Sequence, residues 1–212
     1  IGKGVALAFA RCGVKRLALL GLEAKGLEST RSQLELNYPN VETILEPADV
    51  SDESSIQNAI NRVATDFERI DYGVNCAGIE GARFLTHKMP LENWQKAIDI
   101  NQMGVLFCRC SSKNMLVQTS GIASSVRGPR EGRRVIVNVS SMFGKVSPAI
   151  GHRLAFYISS KHDAMGYGPK GIRINAICPR SVTNHLLAAY EIVLSLTHWW
   201  IDSWTLLFLK MP

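Results

Sequence analysis

The stretch Val135–Asn175 reads VIVNVSSMFGKVSPAIGHRLAFYISSKHDAMGYGPKGIRIN. Its β-branched run, Val135-Ile136-Val137-Asn138-Val139, predicts a buried parallel strand that ends at Ser140-Ser141. A loop follows. Tyr157 and Lys161 then stand at i,i+4, on one face of a predicted helix. Ile172 to Ile177 predicts the next strand.

Residues of these types in this order can carry out proton chemistry. An unperturbed tyrosine has a pKa of ~10, too high for a good general acid/base near neutrality. A neighbouring ammonium favours the phenolate and lowers that value, and Lys161 is spaced to do this to Tyr157. A serine hydroxyl at the strand's end could hold a substrate oxygen beside the phenol. Alone, the pair is also what an ordinary amphipathic helix face shows.

Two further stretches narrow the reading: Asn75-Cys76-Ala77-Gly78 and Asp99-Ile100-Asn101. With the strand, Ser-Ser, loop and Tyr-x-x-x-Lys order, they resemble the short-chain dehydrogenase/reductase family across residues 1–183. The resemblance implies an α/β fold with a doubly wound parallel sheet (Rossmann-like) and hydride transfer with NAD or NADP. By the same match, Tyr157 is the acid/base, and Lys161 lowers its pKa and holds the nicotinamide ribose. Ser141, the family's usual second serine of the pair, orients the carbonyl or alcohol. Asn101 anchors a water of the proton relay. Ser140 is left as a local hydrogen-bonding neighbour.

The 212 residues suffice for one α/β domain with a real core. The formal net charge of +6 can help attract a phosphate-bearing cofactor. The basic residues are scattered without an aromatic-basic recognition pattern, so no nucleic-acid partner is expected. The cluster from Arg127 to Arg134 reads as a solvated loop. Five cysteines without a Cys-x-x-Cys read as reduced thiols of a cytoplasmic protein. No histidine set has metal-ligand spacing, and His152 reads as a loop residue. No signal peptide is visible, and the chain opens at Ile1 without a methionine.

Along the chain, Val5 to Ala10 predicts a helix stopped near Gly13. Ile1-Gly2 resembles the end of the family's Thr-Gly-x-x-x-Gly-Ile-Gly pattern, which makes Gly2 a pyrophosphate contact at a helix N-terminus. The usual first strand is lacking. Arg16 to Leu22 predicts a strand whose C-terminal end selects the cofactor. Gly21 stands where an acid would disfavour NADP, and Lys15 and Arg16 are near in sequence. These favour NADP, while Glu23 keeps NAD open.

Val41 to Leu45 predicts a strand, followed by Asp49 and Val50, which the resemblance makes adenine contacts. Ser51-Asp52 could equally cap the next helix. That helix buries Ile56, Ile60, Val63, Ala64 and Phe67 on one stripe. Ile70 to Asn75 is the next strand, and Asn75, Ala77 and Gly78 are read as cofactor contacts at the sheet's C-terminal edge. A long helix is expected from Leu91 to about Gln118, kinked at Asn101, then a Gly/Ser/Arg-rich loop.

Departures from the family accumulate toward the C-terminus. Ser141 and Tyr157 are 16 residues apart, a few more than usual. Between Lys161 and Asn175 about eight residues are lacking, or ~12 Å of helix. Gly166, Gly168 and Pro169 should end the helix soon after Lys161, which weakens any homo-oligomer face built from it. Pro179 and Ile177 match nicotinamide contacts, but Arg180 replaces a glycine. Beyond residue 183 the resemblance stops. Residues 184–212 form a Trp-rich apolar tail without a recognisable final strand, interrupted by charge, so no transmembrane segment is expected. The bland reading is a tail covering apolar surface.

Two functions therefore compete. One is an NAD(P)-dependent oxidoreductase acting on a small-molecule secondary alcohol or ketone. The other is an inactive remnant of the family that serves as a binding or interaction protein.

Overall fold

A computed structural model describes residues 1–79, 84–118, 134–140, 154–178 and 205–209. For Thr86, residues 154–159 and residues 205–209 it describes the backbone alone. The expectations for Ser141, His152, Pro179, Arg180 and the Arg127–Arg133 loop lie outside the described residues.

Helix α1 (Gly2–Arg11) leads into strand β1 (Arg16–Gly21), then α2 (Ala24–Asn37), β2 (Glu42–Pro47), α3 (Glu53–Asp66) and β3 (Tyr72–Asn75). Helix α4 (Leu91–Ile98), a π-helical turn (Asp99–Met103), α5 (Gly104–Phe107) and α6 (Cys110–Val117) follow. Strand β4 (Arg134–Val139), α7 (Leu154–Tyr167), β5 (Ile172–Ile177) and β6 (Thr205–Leu209) complete the set. All the strand pairs are parallel, in the order β2-β1-β6-β3-β4-β5.

The strands bury both faces, so their sequences read as continuous apolar runs. Side chains alternate across the sheet. Leu17, Leu19, Val74, Val135 and Val137 meet Val5 and Phe9 of α1 and Leu27 and Leu34 of α2. Ala18, Leu20, Ile136, Ile172 and Ile174 meet Ile56, Ile60 and Val63 of α3 and Met115 of α6. The predicted α3 stripe is therefore the buried one, and Asp52 caps that helix by accepting from the Ser54 N–H.

Two elements differ from expectation. The single long helix predicted from Leu91 is broken. The Gly104 N–H reaches back to the Asp99 carbonyl, which inserts a π-turn at Asn101, where the kink was expected; the further break at Cys108-Arg109 was not. The larger difference is β6, in a segment read from sequence as a covering tail without a strand. Thr205–Leu209 lies in the middle of the sheet, with Leu206 opposite Leu17 on one side and Tyr72 on the other. The reason is hydrogen bonding. The facing edges of β1 and β3 carry buried backbone groups that need partners. An apolar extended segment satisfies both edges at once.

Helix α7 runs to Tyr167, past Gly166, and tightens to a 3-10 turn at Gly168–Lys170. Gly171 then takes a positive φ of 82°, a left-handed conformation suited to glycine, and turns the chain into β5.

Candidate active site

Because the strands are parallel, their C-terminal ends share one edge. Doubly wound sheets bind ligands at this edge. Gly21, Pro47, Asn75, Val139 and Ile177 end their strands there. Helix α1 precedes β1 and runs back along the sheet, so Gly2 and the helix N-terminus reach the same edge. Burial pushes the Cys76 thiol up to about 12. Ile1 packs against the core cluster that includes Cys76, which sets the start of α1 near the Asn75–Gly78 segment. Cys76 is buried.

Asn101 is the best-defined side chain of the edge. It is buried on the π-turn. Its Oδ1 accepts from the Ile79 N–H at 2.7 Å, and its Nδ2 donates to the Ile79 carbonyl at 2.9 Å. One amide thus satisfies both backbone groups of the residue after Gly78. This explains a residue of poor helix propensity inside a helical run.

Asp49 is partly buried, and its Oδ1 accepts from the Ser51 N–H at 2.9 Å and the Ser51 hydroxyl at 2.7 Å. Its own N–H donates to Ser55 Oγ at 3.0 Å. The turn before α3 is therefore rigid, and Val50 is buried within it. Gly104, directly after the π-turn, faces Val50 so closely that an added Cβ would lie 3.1 Å from the Val50 Cβ and 3.2 Å from its carbonyl oxygen.

Asn75 is buried with its side chain committed. Its Nδ2 donates to Asn138 Oδ1 at 2.7 Å, which fixes the orientation of the amide. Asn138 Nδ2 in turn donates to Ser160 Oγ at 2.9 Å. Sequence reasoning assigned no role to Asn138 or Ser160. An asparagine inside a β-branched strand was the available signal. Ser140 is buried, donates its N–H to the Ile177 carbonyl at 2.7 Å, and has an Oγ without a partner among the described residues. Helix α7 carries Tyr157 and, exposed, Lys161.

The cofactor-selecting end of β1 is corrected in one respect. Lys15 and Arg16 precede or begin β1, while Gly21 ends it, about 17 Å away along an extended strand. Arg16 donates to the Phe67 carbonyl at 3.0 Å and stacks over the Phe67 ring. It belongs to the opposite edge and cannot meet a 2′-phosphate. Gly21 is buried and Glu23 is exposed at the correct edge.

These features suit a dinucleotide. The first turn of α1 carries no acidic side chain to repel a pyrophosphate, and Ala77 and Gly78 are small enough for close backbone approach. Among the described residues no helix is long and apolar enough to cross a membrane, and no cluster of His, Cys, Asp and Glu could hold a metal.

Such a sheet and edge define a doubly wound, dinucleotide-binding class of α/β protein. Comparison with known proteins narrows the class. The family model described as Enoyl-(Acyl carrier protein) reductase matches residues 1–202. Short-chain dehydrogenase fogB of Aspergillus ruber (strain CBS 135680) is 34% identical over 208 residues, covering 90% of this chain and 74% of that protein. The structure of NAD+-bound xylitol dehydrogenase is similar with a TM-score of 0.69 at 25% identity, covering 84% of this chain and 66% of that one. ElxO with NADP bound shares the fold with a TM-score of 0.75 at 21% identity, covering 99% of this chain and 92% of that one. The chain belongs to the short-chain dehydrogenase/reductase family, a family of oxidoreductases that use NAD or NADP.

Proposed function

We propose that this chain interconverts a small-molecule secondary alcohol and a ketone with NAD or NADP. The observation that carries the reading is the convergence of Asn101, the Asn75–Gly78 turn and α7 on one edge of the sheet. Bound dinucleotide supplies the hydride acceptor or donor. Gly2, Asp49, Val50, Asn75, Ala77, Gly78 and Pro179 would hold it, with Tyr157 and Lys161 at the nicotinamide ribose.

In the oxidation direction, Tyr157 as phenolate takes the alcohol proton while the carbinol carbon gives up its hydride. In reduction, the phenol returns the proton to the carbonyl oxygen. Lys161 favours the phenolate by its charge. Ser141 orients the substrate oxygen. Asn101 keeps the π-turn and the Ile79 backbone fixed and would anchor a water of the proton relay.

The test is a titration of folded protein with NADPH and NADH, followed by nicotinamide fluorescence and then a screen of alcohols and ketones. Saturable binding is expected, and Tyr157→Phe should keep binding while losing at least ~100-fold in turnover, the usual scale for general acid/base groups. Turnover retained in Tyr157→Phe sinks the acid/base role. Absence of any dinucleotide binding supports the competing remnant instead.

A further inference from the structure

We propose that Asn75, Asn138 and Ser160 form a positioning relay that sets the height and rotation of α7, and with them the placement of Tyr157 and Lys161. The proposal rests on the acid/base reading given above and names residues that reading does not include.

All three side chains are buried, at 5%, 2% and 3% exposure. Burying polar groups in a sheet interior is unfavourable unless they are hydrogen-bonded. Here the bonds are made. Asn138 stands directly opposite Asn75 in the register of β3 and β4. Its carbonyl oxygen accepts from Asn75 at 2.7 Å, and its amide donates to Ser160 at 2.9 Å. One side chain thereby joins the cofactor turn, the strand leading to Ser140-Ser141, and α7.

The placement on α7 gives the relay its role. Ser160 directly precedes Lys161 and follows Tyr157 by three residues, one turn away on a neighbouring face. Ser160 points into the sheet while Lys161 is exposed. Among the described residues, Ala164 and Tyr167 of α7 also pack against the second core layer. Apolar contact is non-directional and tolerates sliding. A hydrogen bond does not: it weakens steeply with distance and angle. A small slip of α7 would change the separation of the phenol and ammonium from the substrate oxygen, and the Asn138 to Ser160 bond resists the slip. A satisfied buried network of this kind specifies a single arrangement.

The experiment reads the tyrosine directly and needs no substrate. Phenolate formation is followed by ultraviolet difference absorbance against pH, with Tyr157→Phe subtracted to isolate Tyr157. Wild type should show Tyr157 titrating below the ordinary ~10. Ser160→Ala, checked as folded by circular dichroism, should raise that value by about one unit, a tenfold loss of phenolate below it. Ser160→Thr keeps the hydroxyl acceptor and should restore the wild-type titration. Should Ser160→Ala not fold, Ser160→Cys, nearly isosteric with a weak acceptor, is read in its place and should also raise the value. A merely structural contact would lower the unfolding temperature and leave the titration of the folded protein unmoved. An unchanged titration in the Ser160 variant, with Tyr157 depressed in wild type, overturns the relay alone. Tyr157 titrating at ~10 in wild type, with no dinucleotide bound, overturns the acid/base reading and the relay with it.

Discussion

Asn101 bonds both ends of its amide to one backbone residue. Oxygen and nitrogen both go to Ile79, so the side chain acts as a clamp between the π-turn and the loop after β3. Asn101→Ala leaves two partly buried backbone groups without these partners. The expected cost is about 1–3 kcal/mol in urea unfolding, with weaker dinucleotide affinity in the folded fraction. Unchanged affinity would show that the Ile79 backbone does not shape the cofactor turn. Tyr72, at the start of β3, gives a pH prediction. Burial, then the Asp71 carboxylate, raise its phenol to about 12, against an opposing effect of Arg173. The raised value means that the unfolded chain loses the proton first as pH rises. The Tyr72 contribution is therefore fully present below ~10 and is lost as pH climbs to about 12. The expected loss is on the order of 2 kcal/mol, and Tyr72→Phe should flatten that part of the stability curve.

Residue types alone make some of this legible. An asparagine inside a helix and a Tyr-x-x-x-Lys pair after a β-branched strand are local signals, readable from propensity and spacing. The partner of Asn101 is not readable in that way. Ile79 is 22 residues away, and no local pattern encodes that pairing. The partners of Asn138 escape sequence reasoning for the same reason: the strand asparagine is a local oddity, but Asn75 and Ser160 become its partners only once the sheet brings Asn75 opposite Asn138.

Among the elements, Gly104 has a clear packing duty. It lets α5 approach the Val50 turn, where an added Cβ would meet backbone carbonyl as well as side chain. Gly104→Ala should displace the Asp49–Val50 turn and weaken dinucleotide binding several-fold, while helix propensity alone would favour alanine by up to ~1 kcal/mol. A thermally stabilised variant with unaltered binding would mean that the turn yields without consequence. Strand β6 carries the heavier load. It pairs with β1 on one side and β3 on the other. A proline within a central strand removes a ladder hydrogen bond and its ring is tolerated only at edges or bulges. Leu207→Pro should abolish cooperative thermal unfolding, measured by circular dichroism. A cooperative transition at the wild-type temperature would show that Thr205–Leu209 is dispensable to the sheet.

Over the whole molecule, the parallel sheet separates stability from chemistry. The N-terminal edge gathers charge: Arg69 forks onto buried Asp71 at 3.0 Å, and Arg134 is buried beside them. The C-terminal edge gathers small and amide side chains around the candidate site. This division explains why Arg16, close to Gly21 in sequence, takes no part in cofactor selection. It also places Tyr72 at the end of β3 opposite Asn75.

The sequence by itself determined the class of fold, the identity of most strands and helices, and several of the segments that end at the sheet's C-terminal edge. These follow from hydrophobic periodicity and short motifs, which are properties of near neighbours. Only the tertiary structure decided that Thr205–Leu209 stands in the sheet's centre, that Asn101 holds Ile79, and that Asn138 ties Asn75 to Ser160. Each depends on groups far apart in the chain satisfying one another's buried hydrogen bonds, and that requirement exists only once the sheet has formed.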